Sequence, residues 1–291
     1  MSDDLIPVHG PVIVGQPVEI RPGRRIDIAY HPGERPGAPV LFFCHGGGGN
    51  KDQWRLQWRA LAAEGYPLVA CDLLGHGASD KPRDDAAYAW HELVADYREV
   101  LRRYGGAHNL LVGHSFGTGL TLSTLLQLQD EGELNTIDGV LLLGSLLERP
   151  QFKPGLLSLP AWALRPLRPW LAKSFRERAW HPAANPALVA YEERLTEHNP
   201  LHVFRALARQ ALWPAPEPLR KLEVPVSVLA GDHDRLTPAS AGEALARHLP
   251  NARFENLLGC GHQLMLERPQ EVLRALRLLL PTPSPTGHWS P

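Results

Sequence analysis

The chain has 291 residues, with 30 lysines and arginines against 31 aspartates and glutamates, for a formal net charge of −1. That balance gives no electrostatic case for nucleic acid as a partner, and the length suits one generous domain or one domain carrying an insertion. No run of about eighteen apolar residues is present to span a membrane, and the acidic start MSDDLIPVHG lacks the basic-then-apolar pattern of a signal peptide.

Short β-like runs separated by turns come first: PVIVGQPVEI, RRIDIAY and PVLFFC. From there strand and helix alternate. PVLFFC leads to a helical stretch with Trp54, Trp58, Leu61 and Ala62 on one face. PLVACD precedes HELVADYREVLRRY, where Leu93, Val94, Tyr97, Val100, Leu101 and Tyr104 keep helical spacing. NLLVGH runs into FGTGLTLSTLLQLQ, and IDGVLLLG closes the first part. VPVSVLAG and PASAGEALARHL, then ARFENLLG and PQEVLRALRLLL, form two later strand–helix pairs. The later strands read as apolar runs covered on both faces. The pattern predicts an α/β fold with a mostly parallel central sheet, an antiparallel start and flanking helices.

Between the two parts the composition shifts. Residues 146–218 hold eleven of the 28 prolines and four of the eight tryptophans, with ten Lys+Arg against six Asp+Glu. No strand pattern survives there, so short helices packed as a cap are expected. The division is then a core over 1–145 and 219–281, a helical cap or lid over 146–218, and a Pro/Ser-rich disordered tail over 282–291.

Chemistry concentrates at strand ends. Gly113-His114-Ser115-Phe116-Gly117 is a G-x-S-x-G sequence between a strand and a helix, the context in which a sharp turn lifts a serine hydroxyl above the sheet. A serine hydroxyl needs a base and a group that orients the base. Acid and histidine follow in order: Gly231-Asp232-His233-Asp234 after VPVSVLA, and Gly261-His262 after ARFENLL. Asp234, further into its loop and before Thr237-Pro238, is preferred as the acid; Asp232 suits a hydrogen bond within the turn. His31, His181 and His288 are expected at the surface. His45-Gly46-Gly47-Gly48-Gly49-Asn50 follows PVLFFC, and the amides of Gly47 and Phe116 are assigned as the oxyanion hole. A phosphate loop does not fit, because the Walker spacing is missing and no G-x-G-x-x-G opens a helix. The segment from Asp72 to Asp80 is given a mainly structural role beside that loop, with His76 read as a satisfied structural histidine ahead of one that reaches the pocket. His198 and His202 are four apart, but Pro200 lies between them, and no H-E-x-x-H occurs, so no metal site is expected. Cys44, Cys71 and Cys260 form no spaced framework, so free thiols in a reducing compartment, the cytoplasm, are expected.

Taken together, His-Gly before a glycine-rich loop, D-x-x-G-H-G-x-S, G-H-S-x-G, G-x-x-D and a late G-H resemble the α/β-hydrolase superfamily over nearly the whole chain. The resemblance implies Ser115, Asp234 and His262 as a catalytic triad, 146–218 as the cap between the sixth and seventh strands, and no cofactor. Some relatives place the acid after the sixth strand, which makes Glu148 a second choice. Thr118 stands where many relatives have a second glycine. Epoxide hydrolases and dehalogenases of this fold carry aspartate at the elbow, so Ser115 argues against both activities.

The function expected is hydrolysis of carboxylic esters, of acyl or lipid-like substrates, through an acyl-enzyme. The run of four glycines also resembles carbon–carbon bond hydrolases of aromatic ring cleavage, the alternative, and a non-catalytic ligand-binding member is the second. Apolar residues of the proposed cap, among them Trp162, Trp170, Phe175 and Trp180, interleave with Arg168, Lys173, Arg176 and Arg178. They suggest pocket closure and, more sharply, peripheral contact with anionic lipid.

Overall fold

The structure, a computed structural model, describes residues 12–149, 165–197 and 199–280. Strands β1 (Gln16–Arg21) and β2 (Arg24–His31) form an antiparallel hairpin, and β3 (Val40–Cys44) leads through a 3₁₀ turn into helix α1 (Arg55–Ala63). Then come β4 (Leu68–Cys71), α2 (Trp90–Tyr104), β5 (Asn109–His114), α3 (Phe116–Asp130) and β6 (Ile137–Leu143). Helices α4 (Arg168–Ala179), α5 (Pro186–Thr196), α6 (Leu201–Gln210) and α7 (Pro216–Leu219) follow before β7 (Val226–Gly231). The chain closes with α8 (Ala239–His248), β8 (Ala252–Leu257), α9 (Leu264–Glu267) and α10 (Pro269–Leu279).

The eight strands make one sheet in the order β1-β2-β4-β3-β5-β6-β7-β8, parallel from β4 onward. Alternate residues of each central strand point to opposite faces, as the pleat demands. Phe42, Leu111, Leu142 and Val228 face one way and meet Tyr97, Val100, Leu120 and Leu245 from α2, α3 and α8. Leu41, Phe43, Val112 and Leu229 face the other and meet Trp54, Leu61, Val272 and Leu276. Covering both faces with helices is why these strands read as unbroken apolar runs. The edge strand β8 departs from that expectation: of ARFENL only Leu257 is buried, since one side has no neighbouring strand.

Register decides where chemistry can gather. Cys44 pairs with Gly113, Gly113 with Leu142, Leu142 with Val228 and Val228 with Phe254. The carboxyl ends of β3, β5, β6, β7 and β8 therefore lie along one edge. The loops carrying Gly47, Ser115, Gly144, Asp234 and His262 leave from that edge, the side on which open α/β sheets bind ligands. In the range 146–218 the described residues form helices and no strand. The expected tail, 282–291, lies outside the described residues, as do Trp162, His198 and His288.

Candidate active site

Ser115 sits between β5 and α3 with φ 51° and ψ −116°, and is the single non-glycine residue with positive φ among the described residues. A side chain there costs on the order of 1–3 kcal/mol and persists only when its surroundings enforce it. Two bonds do so. The Ser115 amide donates to the Leu143 carbonyl at 2.9 Å, and its carbonyl accepts from the Thr118 hydroxyl at 2.6 Å. Thr118, fully buried, thus ties down the elbow where a second glycine was the alternative. Across from it, a Cβ on Gly46 would lie 3.0 Å from Ser115 Cβ, so only glycine lets the two loops approach this closely. The Gly47 and Phe116 amides have no acceptor among the described residues, and a Cβ on Gly47 would lie 3.6 Å from Phe116 Cβ.

The loop after β7 delivers a carboxylate to a buried histidine. Asp234 Oδ2 accepts from His262 Nδ1 at 2.7 Å and from the Thr237 hydroxyl, which also lies 3.1 Å from His262 Nδ1. Asp234 Oδ1 accepts the amides of Leu236 and Thr237, each at 2.8 Å. Burial pushes the Asp234 carboxyl up, but the charge and hydrogen bond of His262 and the bonds from Thr237 outweigh it and hold it below its ordinary value. It is an anion at neutral pH. With Nδ1 spent on Asp234, Nε2 of His262 is the nitrogen left to exchange protons.

His262 is aligned from two further sides. Its amide donates to the Ala179 carbonyl at 2.6 Å, and its carbonyl meets His114 Nε2 at 2.9 Å, with the two rings 4.7 Å apart. His114 is fully buried, and desolvation, helped by His262, lowers it to about 3, so it stays neutral. Gly144 connects this pair to the elbow: a Cβ there would lie 3.1 Å from His262 Cε1, one residue beyond the carbonyl that holds the Ser115 amide.

Asp232, expected to bond within its own turn, instead accepts the Cys260 amide, 28 residues away, at 2.9 Å. Glu148 is exposed and has no bond to His262. Cys260 is buried beside these residues, and burial raises its thiol well above the ordinary range, so it stays protonated. His181 is half-buried rather than at the surface, and its ring meets His233 edge-on at 4.4 Å. His202 is occupied by the Pro82 carbonyl at 3.0 Å. An open depression of about 520 Å³ is lined by Trp180, His181, Val189, Glu193 and Arg235, and by none of Ser115, Gly47 and His262.

The glycine loop rests on buried polar residues. Asp72 accepts the Lys51 amide and ammonium and the Ala78 amide, each at 2.8 Å, and Lys51 also reaches Asp27 at 2.5 Å. His45 Nε2 accepts the Leu73 amide at 3.0 Å. His76, as expected of a structural histidine, accepts the Gly48 amide at 2.9 Å. Lys51, Thr237 and His114 carry weight that sequence reasoning had not assigned to them. His114 was visible only as the variable residue of the elbow motif, and Lys51 only as the residue after the glycines.

A model of the alpha/beta hydrolase family matches residues 41–275. Human Protein ABHD8 is 31% identical over 251 residues, which cover 84% of this chain and 56% of that protein. Bifunctional epoxide hydrolase 2 of Sus scrofa is 23% identical over 301 residues, covering 89% of this chain and 54% of that one. The chain thus spans little more than half the length of these relatives. Among solved structures, an esterase (EaEST) from Exiguobacterium antarcticum superposes with a TM-score of 0.78 at 21% identity, over 91% of this chain and 98% of its own. The match over residues 41–275, with the elbow and the order of the loops at one sheet edge, makes this chain a member of the alpha/beta hydrolase family.

Proposed function

We propose that the protein is a serine hydrolase of carboxylic esters. The observation that carries this reading is the strained Ser115, held against the Gly46–Gly47 loop on the same sheet edge as the Asp234–His262 pair. In the proposed cycle His262 Nε2 takes the Ser115 proton as Oγ attacks the ester carbonyl. The Gly47 and Phe116 amides stabilise the oxyanion. Collapse breaks the acyl–oxygen bond, the alcohol leaves with the proton from His262, and the acyl group stays on Ser115. Water, deprotonated by His262, then releases the acid and restores the serine. Asp234 holds the imidazole tautomer and balances the imidazolium.

The nucleophile's chemistry favours acyl substrates over epoxides. A carboxylate opening an epoxide gives an ester that water can cleave, whereas a serine oxygen would give an ether with no route back. We read the helices after β6 as the cap of the pocket. Their exposed Trp170 and Phe175 on α4, beside Arg168, Lys173 and Arg178, favour lipid-like substrates presented at an anionic surface.

The test is hydrolysis of p-nitrophenyl esters from acetyl to palmitoyl by the wild type and by Ser115→Ala. Turnover lost in the variant, with an unchanged melting curve, is the expected result. Equal turnover in the two proteins would refute the serine mechanism, and no turnover at any length would favour a carbon–carbon hydrolase or a ligand-binding member.

A further inference from the structure

Gly48 is gripped from both sides. Its amide donates to His76 Nε2 at 2.9 Å, and its carbonyl accepts from Asn199 Nδ2 at 2.7 Å. His76 belongs to the loop after β4, whereas Asn199 belongs to the turn between α5 and α6, 151 residues away in sequence from Gly48. The amide of Gly49 is also committed, to the Gly46 carbonyl at 3.0 Å. The Gly47 amide, one residue before the grip, is left free for a ligand among the described residues.

The donor on Asn199 is fixed in space. Its own amide donates to the Thr196 carbonyl at 3.0 Å, closing the turn after α5, and Pro200 starts α6 immediately afterwards. One turn before that end, α5 is riveted to the core: Glu192 accepts from the fully buried Arg55 at 2.7 Å. Helix α6 then packs on the loop that carries His76. A Cβ on Gly75 would lie 2.5 Å from Val203 Cγ1, and His202 meets the Pro82 carbonyl at 3.0 Å. The same helical segment therefore holds Asn199 against one side of Gly48 and braces the loop that supplies His76 on the other.

We infer that Asn199 is a positioning residue for the oxyanion hole: through the Gly48 carbonyl it sets the orientation of the Gly47–Gly48 backbone, so that the placement of the α5–α6 turn governs transition-state stabilisation. This rests on the reading of Ser115 as nucleophile and of Gly47 as oxyanion donor. Without the Asn199 bond the four-glycine loop has no side chain holding that carbonyl, and glycine backbone is the most mobile the chain can offer. Oxyanion donors act only when aimed beforehand at the charge that develops, so a loosened loop costs rate at unchanged substrate affinity.

The test combines amide exchange with kinetics on the full chain, using wild type, Asn199→Ala and Asn199→Asp. The aspartate is nearly isosteric but presents no donor when ionised. In both variants the Gly48 amide is expected to exchange roughly tenfold faster, because the loop carrying it is released. The turnover number for p-nitrophenyl butyrate is expected to fall on the order of tenfold with KM unchanged, a fraction of the loss from removing a whole oxyanion donor. Exchange and turnover both at the wild-type value would overturn the inference. Faster exchange with unchanged turnover would overturn the positioning role, leaving a contact that only stabilises the loop. A wild type without serine-dependent turnover would sink the hydrolase reading instead, and the exchange comparison would still decide whether Asn199 holds Gly48.

Discussion

Asp234 and Asp232 stand two residues apart on one loop and meet different surroundings. Asp234 is buried with both carboxylate oxygens engaged, one of them by His262, whereas Asp232 is exposed and bonds the Cys260 amide. Asp234→Asn would set an amide group against donors on one side or the other, spoiling the tautomer that the proposed mechanism requires of His262. Its turnover number is expected to fall by roughly four orders of magnitude. Asp232→Asn should stay within a few-fold of wild type, and ester kinetics on the two variants would check the pair. Thr237→Val removes the hydroxyl that Asp234 Oδ2 accepts while keeping the shape, so a loss of about 1 kcal/mol is expected, read as about fivefold in kcat. Turnover unchanged in Thr237→Val would mean that the backbone amides alone suffice to hold Asp234. From sequence, order along the chain narrowed the acid to this loop. Which carboxylate turns toward a histidine 28 residues later depends on the turn's backbone, which local patterns do not encode.

At the scale of elements, much was legible because hydrophobic period is a local property. Each apolar run from VLFFC to VSVLAG is a buried strand, and the 3.6-residue spacing of Leu93, Val94, Tyr97 and Val100 is the buried face of α2. Strand order was less accessible. That β3 lies between β4 and β5 depends on contacts distant in sequence, and so does the exposure of β8. The proline-rich stretch gave its helices but not their attachment, since Arg55 to Glu192 and Gly48 to Asn199 span well over a hundred residues. Helix α4 is the outlier in packing: of its twelve residues only Ala179 is buried, while Trp170 is 61% and Phe175 45% exposed. Two of its cations are matched within the protein, Arg176 by Glu193 and Lys173 by Glu177. On the lipid-surface reading proposed above, the protein should sediment with vesicles containing anionic phospholipid and less with zwitterionic ones, and added salt should weaken the binding. The double variant Trp170→Ala/Phe175→Ala should lose most of it. Equal recovery of wild type and variant in the supernatant with both vesicle types would dispose of that surface.

The molecule encloses many polar side chains, and the protonation of some of them ties stability to pH. His45, His76 and His114 are buried. Desolvation pushes all three below their ordinary value, His76 and His114 to about 3. Geometry agrees for two of them, since His45 and His76 each accept a backbone amide on Nε2 and would set one N–H against another if protonated. An unfolded chain takes up protons on these imidazoles as pH falls through about 6.5, whereas the folded chain withholds them, His76 and His114 until about 3 and His45 to below its ordinary range. Folded stability is therefore fully present above pH 6.5 and drains away across that window, by roughly 1.4 kcal/mol per pH unit for each proton withheld. Two groups act in the opposite sense. Burial raises the carboxyls of Glu192 and Glu267, so the folded chain holds protons that the unfolded one has released, and acidification toward their ordinary range favours folding. Their window lies above 4.5, and they oppose three histidines, so the net slope stays that of the histidines. Asp234, lowered, adds its own loss only at the acid end, below about 3.8. Urea midpoints are thus expected to fall steadily from pH 7 to pH 5. His114→Gln, which removes one of the withheld protons, should flatten that slope. A midpoint constant over the same range would mean that the buried imidazoles accept protons in place, and the neutral histidine scaffold under the glycine loop would have to be given up.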